Sequence, residues 1–203
     1  VDRRQRQMCI RDRYHCDPML RIQRRKMIQN PFEAALAFTL EQECGPRWQE
    51  DGGYTNDRHD AGGETKYGIS KRAHPTVNIK DLTIGRASKI YYDQYWMPHN
   101  YNLLPAEVAV CVWDFGVNSG PARAKKILQK MVGATDDGKI GPRTKELVQK
   151  AVRVRRGADM LARDYNKERL RFLVNLYKNN PKKHGRYMRG WINRIIDLTA
   201  YAA

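Results

Sequence analysis

The sequence predicts a mainly α fold with a small turn or β region. Three observations carry that reading. Apolar residues recur at i, i+3, i+4 and i+7 in several windows, the period of a helix with one buried face. Helix-starting and helix-ending residues (Asn30-Pro31, Gly45-Pro46, Gly120-Pro121, Gly141-Pro142) sit at the edges of those windows. One stretch, Asp51 to Ser70, breaks the pattern: it spends five glycines on twenty residues, with carboxylates, a histidine and two tyrosines between them. Such a segment buries little apolar surface and reads as turns with a short hairpin.

The first helix is expected from Asn30 to Cys44. Asn30 suits the N-cap, Pro31 the first helical position and Glu33 the capping box. Phe32, Ala35, Leu36, Thr39, Leu40 and Glu43 follow one stripe, which places Glu43 on the buried face at the C-terminal end. Gly45 and Pro46 stop the helix. Asp81 to Trp96 reads as a second helix, with Leu82, Ile84, Ala87, Ile90, Tyr91 and Tyr95 toward the core. Pro105 to Val117 is apolar nearly all round and is expected at the centre of the core. Pro121 opens a helix running to Val132, residues 135–141 form a turn, and Pro142 starts another helix. The tail from Asp159 to Leu198 holds two more helices broken at Asn179-Asn180-Pro181.

A chain of 203 residues reads as one domain and is long enough to bury a core without disulfides or metal. Its formal charge of +16 and pI near 9.9 suit a polyanionic partner, such as nucleic acid, bacterial cell wall or anionic envelope. No run of eighteen apolar residues predicts a membrane span, so no membrane insertion is expected. No charged n-region followed by an apolar h-region marks a secretory signal. Cys9, Cys16, Cys44 and Cys111 form neither a CxxC pair nor a zinc-spaced cluster, and read as free thiols of a reducing compartment. His59 has no second histidine at ligand spacing, so no metal and no cofactor is expected. Residues 1–18 read as a non-native or disordered extension. Val1 to Arg13 is nearly devoid of apolar residues, and its Met-Cys-Ile-Arg-Asp-Arg run looks like a translated sequencing-adapter end, which puts the natural start at Met19 or Met27.

Chemistry concentrates where the first helix meets the glycine-rich stretch. Splitting a glycosidic bond needs a proton donor beside the leaving oxygen and a second group that supports water or positive charge. Glu43, at the end of an apolar helix, suits the donor. Asp60, in a polar turn, suits the ionised partner, and the Thr65 hydroxyl suits water positioning. The bland reading is that Glu43 merely ends a helix while Asp57 and Asp60 make Asx turns. Trp113 and Asp114 line a cleft or belong to the core. Asn118 holds an acetamido group or caps a helix. Tyr54 and Tyr67 stack on sugar rings or pack beneath the loop. Trp191 reads as core, and the basic residues at 153–171 as a solvated helix face.

The run Phe32-x-x-Ala-Leu-x-Phe-Thr-Leu40, followed by Gly52-Gly-Tyr-x-Asn56-Asp57, Asp60-x-Gly-Gly-x-Thr65 and Tyr67-Gly-Ile69, resembles the glycoside hydrolase family 108 muramidases, largely phage and prophage endolysins. Trp113-Asp-Phe-Gly-Val-Asn-Ser-Gly120, Ala124-Lys-Lys-Ile-Leu-Gln129, Asp137-Gly-Lys-Ile-Gly-Pro142 and Arg189-Gly-Trp-Ile-Asn-Arg194 resemble that family's second half, described as peptidoglycan-binding. The resemblance covers residues 30–198. It implies a lysozyme-like helical domain, with a catalytic region at 28–104 and a helical region at 105–203 packed on it as one domain.

It further implies a muramidase that cleaves the β-1,4 bond between N-acetylmuramic acid and N-acetylglucosamine during phage-type host lysis. Bacterial peptidoglycan is the implied partner. A holin-dependent export route, a monomeric state, no nucleic-acid partner and residence in the host cytoplasm until lysis go with it. The catalytic set implied is an acid with Asp60 and Thr65; Tyr54, Asn56, Tyr67, Trp113 and Asn118 bind substrate. A non-catalytic peptidoglycan-binding protein and a lytic transglycosylase are the alternatives.

The chain departs from the family pattern at the acid. In the family a glutamate directly precedes Gly-Gly-Tyr, where this chain has Asp51, whereas the helix register counted from Phe32 and Leu40 points to Glu43. The two anchors lie eight residues apart, so Cys44 to Asp51 reads as an insertion, with Glu43, Glu50 and Asp51 as contenders. Glu43 is preferred because a helix orients it. Asp51 is one methylene short, and a misplacement of roughly an ångström costs about 10²-fold.

Overall fold

The computed structural model describes residues 29–45, 48–56 and 63–202. Among them are eight α-helices and one two-stranded sheet, so the mainly α expectation holds. The expected extension at residues 1–18, together with Cys9, Cys16, Asp57, His59 and Asp60, lies outside the described residues.

Helix α1 spans Pro31–Cys44, and Asn30 caps it by accepting a hydrogen bond from the Glu33 amide (3.2 Å). It ends where the Gly45 amide reaches the Glu41 carbonyl at 3.0 Å. The excursion that follows contains a single helical turn, α2 (Trp48–Asp51). Strands β1 (Thr65–Lys66) and β2 (Ile69–Ser70) pair antiparallel with Thr65 opposite Ser70, and an isolated bridge adds Thr55 against Thr65.

Helix α3 covers only Ile84–Tyr91, capped by the Thr83 hydroxyl; residues Tyr92–Trp96 continue as a π-helical turn. The single long helix expected there is thus shorter and changes pitch. Ile84 is 41% exposed rather than in the core, because it opens the helix at the surface; Leu82, Ala87 and Tyr91 do the burying. The wider π turn keeps Tyr91, Tyr95 and Trp96 on the inward side, with Tyr91 and Tyr95 rings 5.6 Å apart.

Helix α4 (Ala106–Ser119) is buried at every residue from Glu107 to Gly116 and forms the axis of the fold. Helices α1, α5 (Pro121–Val132) and α7 (Ala158–Asn179) pack directly on it. Helix α6 (Pro142–Arg155) rests on α5 and α7, and α8 (Pro181–Tyr201) runs along α7. The core is continuous from Phe32 and Leu40 through Trp113 and Phe115 to Leu173 and Leu198. Each such fully buried side chain contributes about 1.5–3 kcal/mol. The turn at 135–141 is held by Gln129, whose amide donates to Asp137 (2.7 Å) and the Lys139 carbonyl (3.0 Å) and accepts from the Gly138 amide (2.8 Å).

Inside this bundle lies a buried ion network. Asp114, fully buried, accepts from Arg169 (2.8 Å), from Arg194 (2.7 Å at the shortest) and from the Thr39 hydroxyl (3.2 Å). Arg169 is 1% exposed, with its guanidinium 4.8 Å from the Phe115 ring centroid. It corrects the expectation that the basic residues at 153–171 form a solvated face: one of them turns inward because a buried carboxylate waits for it.

Candidate active site

Gly52 and Gly53 bring the chain back to the end of α1. Both have positive φ (+70° and +61°), which a side chain rarely adopts. A Cβ on Gly53 would stand 2.7 Å from the Cys44 Cβ, and one on Gly52 would meet the Tyr67 ring at 2.7 Å. Among the described residues, the two ends of this segment, at Cys44 and at the Gly52-Gly53 turn, therefore lie together. Cys44, the last residue of α1, and Gly53, nine residues apart in sequence, meet in space, which brings the Gly-Gly turn beside the end of the helix that carries Glu43. The Tyr67 amide donates to the Gly52 carbonyl (2.6 Å), and the Tyr91 hydroxyl donates to the Tyr67 carbonyl (3.0 Å), which fixes the hairpin against α3.

Glu43 does not sit on the buried face. Its side chain is 38% exposed, because the α1 stripe reaches the rim of the core there. What holds it is Arg194 of α8, whose Nη1 donates to Oε1 at 2.6 Å while the same guanidinium grips Asp114. Burial pushes the neighbouring Cys44 thiol up, and the Glu43 and Asp51 carboxylates add to that, so both acids act on the same spot. Asp51 is exposed, and its Oδ1 accepts from the Gly53 amide (2.8 Å), making an Asx turn. Glu50 lies on the exposed side of α2.

On the hairpin side, the Thr65 hydroxyl donates to the Gly63 carbonyl (3.1 Å), and its backbone pairs with Thr55 in both directions at 2.9 Å. With its proton so directed, the hydroxyl oxygen keeps its lone pairs for a donor such as water. Tyr54 is 37% exposed and donates to Glu64 (2.8 Å), which raises the phenol above its ordinary value. Asn56 is exposed beside it. Tyr67 is 7% exposed with its ring under Gly52, so it packs beneath the loop instead of offering a sugar-stacking face. Trp113, 1% exposed, packs edge-on against Phe32, Tyr91 and Trp96. Asn118, half-buried at the end of α4, accepts from Ser119 (3.0 Å).

A cavity of about 260 Å³ continues from the hairpin to the end of α4. Gly68, Ser70 and His74 form one wall, Tyr91 and Tyr95 another, and Trp113 and Gly116 the floor. His74 Nε2 and the Tyr95 hydroxyl are 3.4 Å apart at its edge. Sequence reasoning missed Glu64, His74, Tyr95 and the role of Arg194. For Arg194 the available signal was its place in the Arg-Gly-Trp-Ile-Asn-Arg motif; no local period marks the others.

The arrangement gives a carboxylate held at a helix end, a hydroxyl-bearing hairpin across from a glycine turn, and an adjoining cavity edged by hydroxyl and imidazole groups. That is equipment for a polar, hydroxyl-rich ligand and for proton transfer to it. Two family models match the chain: Glycosyl hydrolase 108 over residues 48–120 and Predicted Peptidoglycan domain over residues 123–196. The first match includes Glu50 and Asp51 and begins after Glu43. Among solved structures, that of Brucella abortus SagA is similar over 86% of this chain and 94% of its own, with a TM-score of 0.64 at 29% identity. Comparison with curated proteins gives no match. The chain is therefore a glycoside hydrolase acting on peptidoglycan, in which a glycosyl hydrolase 108 domain is followed by a predicted peptidoglycan domain.

Proposed function

We propose that the protein is an N-acetylmuramidase that hydrolyses the β-1,4 bond between N-acetylmuramic acid and N-acetylglucosamine, with Glu43 as general acid. The observation that carries this reading is the Arg194–Glu43 contact. It fixes one carboxylate oxygen at the junction of α1, the Gly52-Gly53 turn and the hairpin. Among the described residues Oε2 of Glu43 has no hydrogen bond, so it is the oxygen assigned to the leaving group. In the reaction Glu43 gives its proton to the departing sugar's oxygen as the glycosidic C–O bond breaks. Water then adds to the anomeric carbon, and the proton it loses returns to Glu43, which restores the acid. Thr65 accepts a hydrogen bond from that water, and Asp60, which lies outside the described residues, is assigned the support of the positive charge that develops on the ring. Tyr54 and Asn56, exposed beside the hairpin, Tyr95 at the cavity and Asn118 at the end of α4 contact the strand. Tyr67 and Trp113 shape the site from beneath.

Asp51 is the second reading, favoured by the family match that begins at Trp48 and by its place directly before Gly52. Three amide variants separate the two. Glu43→Gln is expected to abolish muropeptide release from purified sacculi, while Asp51→Asn and Glu50→Gln retain most of it. If Glu43→Gln releases muropeptides at the wild-type rate, the assignment to Glu43 is wrong. Mass spectrometry of the products also distinguishes hydrolysis from transglycosylation, since the latter leaves an anhydro sugar. We assign the biological setting to phage-type host lysis, with the enzyme held in the host cytoplasm until a holin opens the membrane. Lysis of host cells only on co-expression with a holin tests that assignment.

A further inference from the structure

From residue 169 to 196 the chain has eight lysines and arginines and no aspartate or glutamate. Two of the eight, Arg169 and Arg194, serve the buried network; Lys178, Lys182, Lys183, Arg186 and Arg189 are exposed. On α8, residues 184, 187, 191 and 194 share one stripe by helical spacing. Their side chains form a ring ladder. Tyr187 stacks on Trp191 with centroids 5.9 Å apart at 23°, and His184 lies 5.8 Å from Trp191 on the same side. Arg186 sits 4.6 Å from the Tyr187 ring centroid. Tyr187 is 42% exposed and Tyr177, which packs over Gly185, is 36% exposed. The ladder ends at Arg194, the residue that holds Glu43. Seven residues from Tyr187 to Arg194 span roughly 10 Å along the helix.

We propose that the Tyr187–Trp191 face of α8 is a carbohydrate-binding platform for a peptidoglycan strand whose neighbouring sugars occupy the site at Glu43. Aromatic faces receive the C–H faces of pyranose rings, and the exposed cations pair with carboxylates of the lactyl groups and stem peptides. The occupant is an anionic glycan because the face combines aromatic rings with exposed cations in a segment that carries no aspartate or glutamate, and because the same helix carries Arg194, which holds Glu43. The direction of the strand rests on the muramidase reading; the platform itself does not.

The test is cosedimentation of the full chain with purified peptidoglycan sacculi. Tyr187→Ala is expected to weaken binding about tenfold, the factor set by losing one aromatic contact, with the thermal midpoint within about 2 °C of wild type because the ring is exposed. Tyr187→Trp is expected to restore binding, and Lys183→Glu with Arg189→Glu to weaken it most at low salt. Unchanged binding by Tyr187→Ala overturns the proposal. So does a loss that Tyr187→Trp fails to restore, or a concentration-dependent dimer that disappears with Tyr187→Ala, which would make this face a self-interface. A wild-type protein that binds sacculi yet releases no muropeptides would sink the muramidase reading alone, and the Tyr187 comparison would still decide the platform.

Discussion

Replacing Asp114 with asparagine tests the buried network that ties the two ends of the chain together. Asp114 is 0% exposed and receives hydrogen bonds from Thr39, Arg169 and Arg194, with the arginine contacts between 2.7 and 3.2 Å. Asparagine keeps the shape but removes the charge, and its amide group turns two donors toward guanidiniums that are themselves donors. Arg194 retains Glu43, whereas Arg169, 1% exposed, is left without a counterion. Breaking a buried pair in this way costs about 3–5 kcal/mol. For a chain of this size each kcal/mol lowers Tm by about 2–4 °C, so the midpoint should fall by roughly 6–20 °C. The pH dependence has a definite sign. Burial alone raises the Asp114 carboxyl, but the Arg169 and Arg194 guanidiniums outweigh it and hold the group below the ordinary carboxylate range. A carboxyl depressed in the folded state contributes stability that is complete above its unfolded value of about 3.9 and is lost as pH falls through the lower folded value. Circular-dichroism melts from pH 2 to 7 should therefore show a steep acid loss in the wild type and a shallower one in Asp114→Asn. A midpoint within about 2 °C of wild type at pH 7, or an unchanged acid slope, would refute the idea that this carboxylate anchors the fold.

Two further substitutions follow from the same geometry. Gly53→Ala forces a left-handed backbone on a residue with a Cβ and pushes that atom to 2.7 Å from Cys44; the strain of about 1–2 kcal/mol should lower Tm by several degrees and cut muropeptide release, and a full-rate, full-Tm variant would mean the turn relaxes freely. Arg194→Lys keeps the charge but cannot present a planar fork to Asp114 and Glu43 together. It should lower kcat about tenfold with little change in KM on sacculi, whereas a change confined to KM would show that Arg194 binds substrate and does not position the acid.

The helices were legible because their signals are local. Asn30 with Glu33, Gly120 with Pro121, and Gly141 with Pro142 each declare a boundary within four residues, and the structure places helix starts there. Where a feature depends on distant partners the sequence is silent. Arg169 reads as one more cation on a basic helix, and only the fold brings it to Asp114, 55 residues away. The expected buried position of Glu43 fails because period alone does not say where the core stops, so its exposure and its bond to a residue 151 positions on were out of reach. The return of the excursion to Cys44 depends on two positive-φ glycines whose doublet marks a turn without saying what it packs against. Thr65 and Tyr54 were picked out by residue type, and their environments at the hairpin came only from the coordinates.

The buried network also bears on how the two matched segments relate. Arg169 and Arg194 fall within residues 123–196, Asp114 within 48–120, and Glu43 and Thr39 precede both. We infer that the peptidoglycan segment is not a detachable anchor but part of the hydrolase's own frame. Without α7 and α8, Asp114 would be a charge in the core with no cation, a cost of several kcal/mol against a total stability of about 5–15 kcal/mol. Glu43 would at the same time lose the guanidinium that holds it. Helix α8 then serves two ends at once: its Arg194 holds the carboxylate, and Trp191 and Tyr187, one and two turns earlier, form the stacked pair proposed to meet the glycan strand, with Trp191 packed on the core and Tyr187 exposed. A binding element and a positioning element on one rigid helix couple grip on the polymer to the geometry of cleavage, which a flexibly tethered wall-binding module does not do.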